Sequence, residues 1–96
     1  MVQHKPTARV INLEIAREIS ELETGWASAL QVAFDVGGTD DPEYRRQVRA
    51  TISALVRTGA IERLFARHRE IPLEIIYLDQ AKLEAAVEAL ELQVSA

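Results

Sequence analysis

Apolar residues recur along most of this chain at steps of three and four. Ile11, Ile15, Ile19 and Leu22 fall on one face of a helix, with Glu14, Arg17, Glu18 and Glu21 on the others. That period predicts a first helix ending near Thr24 and Gly25, where glycine tolerates a left-handed cap. The branched side chains of residues 10–15 offer a short strand as the rival reading. Trp26, Ala29, Leu30, Ala33 and Phe34 form a second helical stripe, which puts Trp26 on a core-facing side and stops at Gly37 and Gly38. The run Gly37-Gly38-Thr39-Asp40-Asp41-Pro42 is turn chemistry. Asp41 can cap free backbone amides, and Pro42 then stands at a first helical position, where its missing N–H costs nothing. A third helix follows over residues 42–57, with Tyr44, Val48, Ile52, Leu55 and Val56 inward, closed by Gly59.

The rest of the chain is of mixed type. Residues 61–68 alternate weakly and fit either a helical turn or a strand. Residues 73–78 (LEIIYL) are short, branched and aromatic, which predicts a strand. Between them the polar stretch 67–72, ending in Pro72, fits a hairpin tip. Asp79 can cap a last helix, in which Leu83, Val87, Leu90 and Val94 step by four, three and four. No repeat, low-complexity tract or domain boundary interrupts the 96 residues. They are enough for one core, so residues 8–96 are expected to form one domain behind a loose tail at 1–7.

Charge changes the picture. The net charge is −4, with 15 acidic and 11 basic residues, which as a total disfavours nucleic acid as a partner. The distribution reverses that. Residues 41–69 carry seven arginines (Arg45, Arg46, Arg49, Arg57, Arg63, Arg67, Arg69) against Asp41, Glu43 and Glu62. Both flanks are acidic. On the third helix Arg46, Arg49, Ala50, Ser53 and Arg57 share a sector of roughly 100°, opposite the apolar face.

Residues 48–63 (VRATISALVRTGAIER) resemble the recognition helix and first wing strand of winged helix-turn-helix domains. In that superfamily a leucine near the helix end, a glycine and a branched apolar residue lead into the wing; Leu55, Gly59 and Ile61 match. Tyr77-Leu78 before a helix matches the second wing strand. The separation of Gly37 from Leu55 is longer than in common members. The resemblance implies an α+β, mostly helical fold: a winged helix-turn-helix with a two-stranded wing and a C-terminal helix. It also implies a transcriptional regulator that binds duplex DNA.

The chemistry agrees with that implication. A major groove admits one α-helix, and the planar arginine fork suits both phosphate and guanine edges. Arg46, Arg49, Ala50, Ser53 and Arg57 on the helix, and Arg63, Arg67 and Arg69 on the wing, are the expected DNA contacts. Leu83, Val87, Leu90 and Val94 are the expected seam of a homodimer reading two half-sites about one helical turn, roughly 34 Å, apart. An acidic protein patch is the alternative partner for the same arginines. A second, shorter resemblance links residues 40–68 to the C-terminal helices of bacterial solute-binding proteins, and requires residues 61–68 to be helical.

Other chemistries find little support. With no cysteine there is no disulfide, thiolate metal site or cysteine nucleophile. His4 and His68 lack ligand spacing. Gly37-Gly38 lacks the Gly-Lys-Ser/Thr of a phosphate-binding loop. Glu14/Glu18 and Glu84/Glu88 stand at i,i+4 without a histidine partner. The expectation is a non-enzymatic protein with no cofactor, no metal and no membrane association. The N-terminal residues lack a signal-peptide pattern, so a cytoplasmic location is expected.

Overall fold

The computed structural model describes residues 11–95, so the expected tail at 1–7 lies outside the described residues. The fold is α+β. Its elements are α1 (Leu13–Ser20), β1 (Gly25–Ser28), α2 (Ala29–Gly37), α3 (Pro42–Arg57), β2 (Glu62–His68), β3 (Ile71–Leu78) and α4 (Gln80–Ser95). The strands form one antiparallel sheet in the order β1-β3-β2.

Each helix start has a local cause. The Asn12 side chain accepts from the Ile15 amide at 3.0 Å and opens α1. Asp41 accepts from the Tyr44 amide at 3.0 Å, with Pro42 inside the first turn of α3. Asp79 accepts from the amides of Ala81 and Lys82 at the start of α4. At the end of α3, Gly59 takes φ 88°, a left-handed value that suits glycine. The amides of Ala60 and Ile61 then turn back onto the Leu55 carbonyl, which aims the chain into β2.

Two expectations need correction. The first helix stops at Ser20, and Trp26 does not begin the second: residues Gly25–Ser28 are strand β1. Pairing of Trp26 with Tyr77 and Ala27 with Ile76 gives these backbone groups a ladder that only the distant β3 supplies. The helix starts at Ala29, three residues after Trp26, where Ser28 accepts from the Gln31 amide at 2.9 Å. Ser28-x-x-Gln31 is the spacing of a capping box and was the missed local signal. Trp26 is therefore not a core residue: it is 54% exposed and lies against Tyr77, ring centroids 5.0 Å apart. The ambiguous segment 61–68 resolves as strand, which removes the helix needed by the solute-binding resemblance.

The core lies between the sheet and the helices. Ile15, Ile19, Val32, Val48, Ile52, Leu55, Ile61, Ile76, Leu78 and Leu83 are all buried in one cluster. Helices α2 and α3 approach closely at Gly37, where an added Cβ would stand 2.9 Å from the Arg45 Cα. Helix α4 packs on α1, held at the surface by Arg17 and Glu91 at 2.7 Å. Among the described residues, no helix is long and apolar enough to cross a membrane.

Candidate nucleic-acid interface

Helix α3 is two-sided. Val48, Thr51, Ile52, Ala54 and Leu55 are buried, while Arg46, Arg49, Ala50 and Arg57 are exposed and Ser53 is half-buried. The expected helix face is thus open along its length. The arginines on it are not equivalent. Arg46 is ion-paired with Glu43 one turn earlier. The Arg49 guanidinium makes no hydrogen bond or ion pair among the described residues, and Ala50 beside it leaves the backbone accessible.

Arg45 has a structural task. Its guanidinium donates to the Gly38 carbonyl at 2.9 Å and lies 4.5 Å above the Phe34 ring. It clamps the turn between α2 and α3. A shallow hollow of about 310 Å³ lies there, bounded by Leu30 and Phe34 on α2 and by Arg45, Arg46 and Arg49 on α3. Leu30 and Arg45 at this hollow were not among the expected contacts. The i,i+4 spacing Leu30–Phe34 and the arginine pair Arg45-Arg46 were the signals available.

Beneath α3, the Tyr44 hydroxyl donates to Glu18 at 3.3 Å. Burial, and then the Glu18 carboxylate, raise its pKa above the ordinary value, because both disfavour a phenolate.

The hairpin supplies the second group of cations. Successive side chains of a strand alternate between faces. Arg63 is paired with Ile76, Phe65 with Glu74 and Arg67 with Pro72, so Arg63, Phe65 and Arg67 share the face that Ile76 and Leu78 press onto the helices. Near the base Arg63 meets Glu74 at 3.4 Å and leans over Phe65, 5.4 Å from the ring centroid. Farther out the hairpin leaves the helices behind, and Phe65 is 64% exposed. The tip is a two-residue turn in which both Arg69 (φ 52°) and Glu70 (φ 68°) are left-handed. Arg67 and Arg69 make no ion pair among the described residues.

The expected dimer seam is divided. Leu83 is only 1% exposed and belongs to the domain's own core. Val87 and Leu90 are half-buried, and Val94 is 73% exposed. The four therefore do not form one open surface, because the first turns of α4 lie on α1. No group of His, Asp or Glu able to hold a metal occurs among the described residues. Comparison of the chain with protein-family models, curated proteins and solved structures finds no match.

Proposed function

We propose that this chain is a winged helix-turn-helix domain that binds duplex DNA as a homodimer and acts as a transcriptional regulator. One observation carries the reading. The open face of α3 (Arg46, Arg49, Ala50, Arg57) and the hairpin (Arg63, Arg67, Arg69) offer cations from two elements of one small domain. The order helix, strand, two helices, two-stranded hairpin, with the short strand beside the second hairpin strand, supports the winged arrangement. In this reading α3 enters the major groove. Arg49 then has a free guanidinium for a base edge or phosphate, and Ala50 permits close approach. Arg67 and Arg69 contact backbone phosphates beside the groove, which positions the domain without reading sequence.

The test is a salt-titrated duplex-binding assay with wild type and the Arg46→Ala/Arg49→Ala variant. The logarithm of affinity should fall linearly with that of salt concentration, by about 0.9 per phosphate neutralised. The double variant should bind at least roughly tenfold more weakly while keeping its fold. Undetectable binding at low salt, or binding unchanged by the substitutions, removes the proposal.

A second reading is favoured by Phe65, exposed between Arg63 and Arg67 on one strand face. Aromatic and arginine side chains together are typical anchors of protein interfaces. In that case the cationic face meets an acidic protein patch, and the domain co-purifies with a protein while shifting no duplex.

A further inference from the structure

The sheet has a second face that no element of the described chain covers. Tyr77, Ile75, Leu73 and Ile71 alternate along β3 away from Ile76 and Leu78. Trp26 is paired with Tyr77, and Leu64 with Ile75, so they join the same face. Six large apolar side chains thus lie side by side. Trp26 is 54%, Leu64 44% and Ile71 65% exposed. Monomeric proteins rarely leave contiguous apolar patches of this kind open, and such patches mark interaction sites. The only titratable groups on this face of β2 and β3 are Glu62 at its base and His68 at its tip, besides the Tyr77 hydroxyl.

We infer that this open sheet face is the homodimer interface, with the same face of a second copy as its occupant. The placement of the two polar end groups, Glu62 as acceptor and the His68 imidazole as donor, selects that partner. A two-fold axis in the interface plane, across the strands, lays the base of one hairpin over the tip of the other. Glu62 then faces the partner's His68, and the partner's Glu62 faces His68, so one pattern satisfies itself twice. The same axis sets Leu64 over the partner's Ala66, large against small. Strand β1 has four residues against eight in β3, which leaves a step beside the outer half of β3. Trp26 of the other copy fills that step. Two sheets packed face to face at about 10 Å form a sandwich core. The centre of the patch carries no charged side chain, as interface cores require.

Helix α4 offers no equal rival. Its large exposed apolar residues Leu92 and Val94 are two positions apart, about 200° around the helix, and the other apolar residues on the Leu92 side are only the small Ala81, Ala85 and Ala89. The sheet-face pairing is independent of DNA binding. It leaves Arg63, Phe65 and Arg67, which are on the reverse of the same hairpin, outermost on both protomers.

The experiment is sedimentation equilibrium of the full chain, with emission of the sole tryptophan, Trp26, read on dilution. Wild type should dimerise, and its tryptophan emission should shift to the red as it dissociates. Leu64→Glu and Ile71→Glu replace exposed side chains; each should keep the wild-type circular dichroism and weaken the dimer by at least roughly thirtyfold. Leu92→Lys/Val94→Lys should leave the dimer intact. Glu62→Lys should weaken it severalfold, and adding His68→Glu should restore it. A monomer at all concentrations overturns the inference. So does a dimer that survives Leu64→Glu and Ile71→Glu, or one broken by the α4 substitutions. Failure of duplex binding in the separate salt titration leaves these outcomes unaffected.

Discussion

Ile75 and Ile76 are neighbours in sequence, share a side chain and occupy one strand, yet belong to different environments. Ile76 is fully buried against the helices, whereas Ile75 is half-buried on the open side between Leu64 and Ser28. The two faces of the sheet repeat that contrast. One is core at its base and cationic toward its tip; the other is apolar between Glu62 at its base and His68 at its tip, and uncovered. An ordinary exposed sheet face alternates to polar residues. The departure here teaches that alternation alone does not reveal which side of a strand is buried in the isolated domain.

The largest expected effect tests this contrast directly. Ile76→Ala should cost about 2–5 kcal/mol in a denaturant melt, and Ile75→Ala about 1 kcal/mol or less at concentrations where the protein is monomeric. Equal losses would mean that both faces are buried in the monomer. Next, Arg67→Ala/Arg69→Ala should flatten the salt dependence of duplex binding by about two phosphate contacts, roughly 1.8 in slope. An unchanged slope would detach the hairpin from the DNA surface. At the tip, Glu70→Gly should stabilise the domain by about 1 kcal/mol, since a left-handed conformation costs a side chain roughly 1–2 kcal/mol. A thermal melt measures that gain.

Tyr44 lies on neither sheet face and serves as a reference. Its raised pKa means that the folded state holds the phenol proton more firmly than the unfolded chain. That contribution is complete below the ordinary pKa near 10 and is lost as pH rises through the raised value. Wild-type stability should therefore fall more steeply above about pH 10 than that of Tyr44→Phe. The smallest effect belongs to the open face: Ile71→Thr should change monomer stability by no more than about 0.5 kcal/mol.

Helix α3 was legible from residues alone. Asp41, Pro42 and Gly59 are local signals, and the apolar stripe from Tyr44 to Val56 is long enough for its period to be unambiguous. The strand at 73–78 and the cap at Asp79 were legible from residue type, but the strand begins at Ile71 and the tip expected over 67–72 shrinks to Arg69 and Glu70. Strand β1 was not. Its four residues cannot show a period, and its hydrogen bonds go to β3, about fifty residues away. Glu62–His68 was ambiguous because its inward side chains at the outer end are Phe65 and Arg67, neither of which is buried. The arginines were visible as a set, but their individual states were not: Arg45 clamps a turn, Arg46 and Arg63 are paired, and Arg49, Arg67 and Arg69 remain available.

The sequence by itself determined the helix caps, the two-sided pattern of α3 and the concentration of arginine between acidic flanks. These depend on neighbours within about one helical turn, where residue type and spacing suffice. Tertiary structure decided where Trp26 lies, that Leu83 belongs to the core, and that the apolar side chains of three strands form one open face. Those outcomes depend on strand pairing and on which side the helices cover. They are set by contacts between residues distant in the chain, which no local period encodes.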